Sequence, residues 1–385
     1  MPRSSMRSTS ARLTTLATFP DQQPTLRHLG GVRWSLLVSA ILLAMIGLAT
    51  IHSASSELAQ DYLPKQALRI VLGLVGFAVV FSIDYQILAK FAVPIYAGAM
   101  LLLVLVLLVG SEAGGARSWL RIGAAQLQPS DIAKLATILL LARYLAGINR
   151  QFIRVPQVLT AVGITALPVL LVALERDLGG AAMFIPILAG MLLVGGVRWR
   201  LLIAAALTLL LLGALVWNFG MLDYQRLRVK TFLSPGSDPL NAGYQLQQSK
   251  IAVGSGMLVG RGYMQGTQSQ LRFLPARHTD FIFAVLAEEW GFVGVVVVLA
   301  LFSGYIMNGF AVAFRARDRT AVLLVVGLLS IASFHVLYNT AMVVGLVPIT
   351  GIPLPFLSYG GSFIVANFIA VGLILGIDFR RHVNR

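Results

Sequence analysis

The sequence has no cysteine among its 385 residues. That excludes disulfides, thiolate metal ligands and thiol nucleophiles. Charge is also scarce, at 12% of residues, where a soluble domain carries about 25%. Too few polar side chains remain to cover a water-facing surface of this size, so a soluble globular fold is excluded. The five histidines, at 28, 52, 278, 335 and 382, are too scattered to suggest a zinc site. No internal repeat of solenoid length and no inverted repeat between the halves is visible.

What the chain has instead is apolar length. Hydrophobic residues make up 57%, and the mean hydropathy is +0.83. Ten long apolar runs cover 33–52, 67–83, 91–110, 132–146, 158–174, 180–197, 201–222, 292–314, 321–346 and 356–377. A helix of about 20 residues crosses a bilayer core, and these runs are too long and too often broken by glycine to be barrel strands. The fold class expected is an all-α polytopic membrane protein of about ten transmembrane helices, with one long extracellular loop between helices 7 and 8.

The net charge of +15 would suggest nucleic acid in a soluble protein. Here the charges follow the bilayer, and no nucleic-acid partner is expected. Sixteen of the 30 Lys and Arg fall on one set of helix ends and termini. The short loops of the opposite set hold four, Lys65, Arg117, Arg121 and Arg176. The positive-inside rule then places both termini in the cytoplasm and the loop 223–280 outside. Residues 1–32 read as a basic, disordered cytoplasmic arm beside anionic lipid, although their Arg/Ser/Thr content also resembles an organellar transit peptide. Residues 33–378 form the membrane domain, and 379–385 a basic cytoplasmic tail. Within the loop, spaced glycines at 254–266 suggest tight turns near the membrane surface, and 244–253 a short interfacial helix.

Charges beside apolar runs cost about 2.5–3.5 kcal/mol each at a helix centre on insertion scales, so they mark candidate function. Asp131 and Lys134 share a helix face just after Pro129, either as a structural ion pair or as a held ammonium offered to a phosphate. Arg117 and Trp119 precede them, the Trp as a membrane-interface anchor or a platform for a sugar face. Glu175-Arg176-Asp177 ends the fifth run. Glu288 and Glu289 fit a role in orienting or pairing basic residues better than a two-acid glycosidase dyad. His335, Tyr338 and Asn339 have the spacing of interhelical hydrogen bonds. His278-Thr279-Asp280 is the densest polar cluster, and Asp280 reads either as a helix cap or as a general base.

The run from Gly266 to Gly294, GTQSQLRFLPARHTDFIFAVLAEEWGFVG, resembles the hallmark segment of the SEDS family (shape, elongation, division and sporulation). Four more stretches agree in order: 115–134, Asp177-Leu178-Gly179, 224–235 with 244–262, and 345–362. The Arg before His278 and the Leu-Ala-Glu-Glu ending at Glu289 resemble its RodA-like branch rather than the FtsW-like one. Two positions depart: the usual Gln-Pro-Ser-Glu ends here in Asp131, and Gln-Pro-Asp-Leu-Gly-Thr stands as Glu-Arg-Asp-Leu-Gly-Gly from Glu175 to Gly180.

The resemblance implies a peptidoglycan glycosyltransferase of the bacterial inner membrane that polymerises lipid II during elongation and rod-shape maintenance. It implies inverting transfer, undecaprenyl pyrophosphate as leaving group and Asp280 as general base. Lys134, Arg117, Trp119, Asp131, Arg228, Gln268, Ser269, His278, Thr279, Glu288 and Ser358 are the expected substrate-binding residues. No cofactor is required by the motifs, although a divalent cation, Mg or Mn, is compatible with a pyrophosphate. The expected partners are a class B penicillin-binding protein, the nascent glycan strand, the elongation machinery and membrane lipids. A lipid II flippase and a non-catalytic scaffold for the transpeptidase are the alternatives.

Overall fold

The computed structural model describes residues 30–381 apart from 57–61, 114–115, 123–124, 149–151, 272 and most of 202–241. Most of the seventh apolar run, Arg228, and nearly all of the N-terminal arm lie outside the described residues.

Helices form where the apolar runs predict them. In chain order they are α1 (Ser35–Ser55), α2 (Leu63–Ser82), the short α3 (Tyr85–Lys90), α4 (Ala92–Val109), α5 (Pro129–Ala146), α6 (Val155–Leu174), α7 (Leu178–Ala182) and α8 (Phe184–Gly195). After the loop come α9 (Ala242–Ser255), α10 (Thr267–Gln270), α11 (Ile282–Arg315), α12 (Arg319–Val343) and α13 (Gly361–Arg380). Among the described residues eight helical stretches are long and apolar enough to span a membrane, with α7 and α8 counted as one. The chain is a helical, polytopic integral membrane protein. Side chains such as Leu101, Leu108, Leu170 and Leu193 are exposed, as a surface solvated by lipid requires.

The fourth run is the exception that positions the site. It gives α5, whose Asp131, Lys134 and Arg143 keep its hydropathy low, and α5 is buried along most of its length. Pro129 starts it, where the missing N–H costs nothing. Around it α4, α6, α8, α12 and α13 make contact, while α2 lies along α13 and α1 along α11. The glycines Gly73 and Gly76 face Phe368 and Ile369 of α13, and Gly190 faces Ser330 of α12. They serve close helix packing.

The loop before α5 adds a feature that the all-α reading does not contain. Three short antiparallel strands, β1 (Ser111–Ala113), β2 (Ala116–Ile122) and β3 (Ala125–Leu127), form a small meander over the end of α4. The segment 244–253 of the long loop is helical, within α9. Its Ser249 is buried, and its hydroxyl donates to the Val343 carbonyl at the end of α12.

Helix α11 is two helices joined at Gly291, whose φ of 64° and ψ of −164° belong to neither. Its first segment, Ile282 to Glu289, is buried throughout, and after the joint the chain turns lipid-facing at Phe292 and Val293.

Candidate active site

A cavity of about 540 Å³ opens where β2, the start of α5, α7 and the segment 348–360 meet. Lys134 and Asp131 line it, and so do Trp119, Gln128, Arg176, Asp177, Thr279, Asp280, His335 and Tyr359.

At its base Lys134 Nζ donates to Asp131 Oδ1 at 3.0 Å, and both side chains are nearly inaccessible. Burial of a charge is tolerable only with a partner and further hydrogen bonds. Asp131 Oδ2 accepts from Ser362 Oγ at 2.8 Å, and that oxygen accepts the Gln128 N–H at 3.0 Å. The pair is therefore fixed from two helices, α5 and α13. Gln128 Nε2 donates to Asp177 Oδ2 at 3.3 Å, which ties the pair to the next wall. Asp177 caps α7 by accepting from the Gly180 N–H at 2.8 Å.

Before Asp177 the backbone does something unusual for its residue types. Arg176 has φ of 65°, a left-handed conformation that a proline at this position could not adopt. Replacement of the family's usual Pro by Arg thus changes the helix end, and it places a cation on the cavity wall. Glu175 beside it is 1% exposed, and neither carboxyl oxygen has a hydrogen-bond partner. Burial first, and Asp177 second, push its pKa up to about 8 against the opposing pull of Lys134.

Asp280 stands on the opposite wall, half-buried, one residue before the turn into α11. Its backbone carbonyl accepts from Asn339 Nδ2 at 2.9 Å, and the same amide donates to the Ile352 carbonyl at 2.8 Å. Ser358 Oγ donates to the Thr279 carbonyl at 2.7 Å and accepts the Leu354 N–H at 2.8 Å. These bonds clamp the 279–280 backbone to the 352–358 segment. Gly351, at φ of 75°, turns the chain there, and a Cβ on it would lie 3.7 Å from Asp280 Oδ2.

Several sequence candidates sit elsewhere. Arg117 does not line the cavity and instead makes an exposed pairing with Glu112 at 3.5 Å. His278 lies behind the wall, stacked on Tyr62 at 4.6 Å between ring centroids and edge-on to Tyr359. Burial, then the Arg277 charge, lower its pKa, so it is neutral near pH 7. Ser358 is buried as a clamp.

Glu288, Gln268 and Ser269 form a separate knot. Glu288 accepts the Gln268 and Ser269 N–H groups at 2.9 and 3.3 Å and the Thr267 hydroxyl at 3.3 Å. Glu289 accepts from the Ser53 hydroxyl of α1. The expectation that these two acids pair with basic residues is therefore corrected: their hydrogen-bond donors are backbone amides and hydroxyls. Buried N–H groups need acceptors, and a buried carboxylate supplies several.

Residues that sequence reasoning did not assign to the site include Arg176, Asp177, Gln128 and Tyr359. Tyr359 also carries the Arg69 guanidinium over its ring at 4.4 Å. The signal for Arg176 and Asp177 was their place in an ordered motif at a span end. Among the described residues no group of three or more His, Asp and Glu is placed to hold a metal ion. Asp131 is already committed to Lys134 and Ser362, so the donor set does not fit a divalent cation held by the protein alone.

The family model described as cell cycle protein, FtsW/RodA/SpoVE, matches residues 33–383. The peptidoglycan glycosyltransferase MrdB of Escherichia coli K12 is 42% identical over 319 residues, covering 81% of this chain and 84% of that protein. The peptidoglycan glycosyltransferase RodA of Treponema pallidum is 32% identical, covering 92% of this chain and 99% of its own. Among solved structures, RodA of Thermus thermophilus superposes with a TM-score of 0.69 at 30% identity, covering 91% of this chain and 98% of that one. A chain of a peptidoglycan synthase complex, solved for the coordination of polymerization and crosslinking, gives 0.80 at 34% identity, with the same two coverages. With these similarities and the motifs lining its cavity, the chain belongs to the FtsW/RodA/SpoVE family, on the RodA-like branch.

Proposed function

We propose that this chain is a peptidoglycan glycosyltransferase that polymerises lipid II during cell-wall elongation, with Asp280 as its general base. The observation that carries the mechanism is one cavity that holds Asp280 together with Lys134 and Arg176, while the other two carboxylates lining it, Asp131 and Asp177, are held by Lys134 and Gln128.

The 4-hydroxyl of the acceptor sugar attacks the anomeric carbon of the donor sugar. Its proton passes to the Asp280 carboxylate as the new carbon–oxygen bond forms. The bond from the anomeric carbon to the phosphate oxygen breaks, and undecaprenyl pyrophosphate leaves with the electron pair. Attack opposite the leaving group inverts an α donor to a β link. General-base help of this kind contributes about 10²–10⁴ in rate. Charge developing on the pyrophosphate meets Lys134 and Arg176, and Trp119 offers a ring to a sugar face. The cavity faces the outside of the bacterial inner membrane, both termini face the cytoplasm, and a class B penicillin-binding protein crosslinks the product.

Fluorescent lipid II incubated with the purified protein, with and without a matching transpeptidase, tests this. Glycan ladders from the native chain that disappear in folded Asp280→Asn are expected. Ladders that persist in Asp280→Asn remove the base assignment. No ladders with the partner present, together with lipid II transfer across vesicles, would put a flippase in its place.

A further inference from the structure

The face of the membrane opposite the catalytic cavity carries a second concavity, at the start of α6 and the end of α8. Its volume is about 680 Å³, and Arg154, Arg198 and Arg200 line it together with Phe152, Val155 and Leu201. The two chain segments that supply these residues are held in register by the Ile153 N–H, which donates to the Gly196 carbonyl at 3.2 Å.

Several arginines on this face are consumed by the fold. Arg143 donates to the Lys90 carbonyl, Arg319 to the carbonyls of Ile148 and Gly195, and Arg380 to those of Phe81 and Ser82. The three in the concavity differ. Among the described residues none of them has a carboxylate within ion-pair distance, and no acid lines the space. Arg198 is held over the Phe152 ring at 5.3 Å, and Arg200 near the Trp199 ring at 5.8 Å. A guanidinium lying on a ring keeps its N–H donors in its own plane, where phosphate oxygens can reach them.

The walls are amphipathic: Phe152 and Val155 are 47 and 50% exposed beside the arginines. A free anion would leave those apolar surfaces unused, whereas a glycerophospholipid covers them with its glycerol and first methylenes. Basic pockets between spans are suited to anionic headgroups.

We propose that Arg154, Arg198 and Arg200 form a binding site for an anionic phospholipid, its phosphate held between guanidiniums and its chains along α6 and α8. This site is independent of the polymerase chemistry.

Native mass spectrometry of the delipidated full chain tests it, with dioleoylphosphatidylglycerol, dioleoylphosphatidylcholine and inorganic phosphate as the probes. The native chain should hold phosphatidylglycerol at least ~10-fold more tightly than phosphatidylcholine, and millimolar phosphate should not displace it. R154Q/R198Q/R200Q should bring the two lipids to within ~2-fold of each other. K90Q/R315Q removes two exposed charges from the same face outside the concavity and should leave the preference intact. If the triple variant is not monodisperse, R198Q alone should cost ~3-fold or more. The proposal is overturned if the native chain does not discriminate, if inorganic phosphate displaces the lipid, if K90Q/R315Q loses the preference as the arginine variant does, or if the arginine variants keep it.

Discussion

The side-chain amide of Asn339, near the end of α12, holds the backbone carbonyl of Asp280 at 2.9 Å. That amide joins α12 to the strip of chain bearing the proposed base, and its second bond to Ile352 fixes the opposite lip of the cavity. A buried amide with two carbonyl acceptors sets a position more firmly than apolar packing, because loss of the donor leaves both carbonyls unsatisfied. Asn339→Leu should lower polymerisation about 10²-fold, as expected for a base displaced by about 1 Å. Lipid II affinity should change little. Equal loss of binding and turnover would mean that the whole cavity, not the base, had collapsed.

The buried pair Lys134–Asp131 gives a second test, one that separates stability from chemistry. Lys134→Met leaves an uncompensated buried carboxylate and should destabilise the protein by roughly 3–5 kcal/mol. Adding Asp131→Leu removes the orphaned charge and should restore most of the thermal midpoint in detergent. Polymerisation should stay absent in the double variant, because the ammonium proposed to meet the pyrophosphate is gone. Recovery of activity with stability would reduce the pair to a structural role.

Much of this architecture was legible in the sequence, for physical reasons. Apolar runs such as 356–377 declare themselves because lipid demands uninterrupted hydrophobic length. Asp280 drew attention through the family resemblance, since by residue type and place it reads equally as a helix cap. Only part of the cavity wall was legible: Trp119 and Lys134 were named from the sequence, whereas Asp177 and Tyr359 join them only when distant segments pack. The β1–β3 meander was missed because strands of three, seven and three residues carry too little alternation to register. Glu288 was misread because its partners, the N–H groups of Gln268 and Ser269, leave no trace in residue type.

Glu175 gives a pH dependence. Its pKa stands at about 8 in the fold, above the ordinary carboxylate value of 4.5 that it regains on unfolding. The folded state therefore holds the extra proton between these values. Stability from this group is full below about pH 4.5, declines as pH rises, and levels off once pH passes about 8. A protonated Glu has the shape and neutrality of the Gln usual in the family. Glu175→Gln should accordingly keep activity near pH 7, flatten the slope of thermal midpoint against pH, and be the more stable form at pH 8.5 by an amount on the order of degrees. An unchanged slope would show that another group sets it.

Gly291 is where the long loop and the membrane helix depend on each other. Breaking α11 there leaves the carbonyls of Glu288 and Glu289 and the N–H groups of Phe292 and Val293 without helical partners, in a place with little water to take them. The loop supplies all four. Arg261 and Gly262 donate to Glu288 and Glu289 at 3.0 and 3.1 Å, and the Met257 and Leu258 carbonyls accept from Phe292 and Val293 at 2.9 and 3.0 Å. The φ and ψ at the joint are open to glycine alone. A Cβ at 291 would also sit 2.2 Å from the Gly260 nitrogen. Gly291→Ala should destabilise by more than about 2 kcal/mol, read as a lower thermal midpoint in detergent. Because the same turn positions the knot of Glu288 with 267–269, protease cleavage should appear first within 257–270. Cleavage elsewhere, with the loop intact, would mean that the loop holds its fold without the joint.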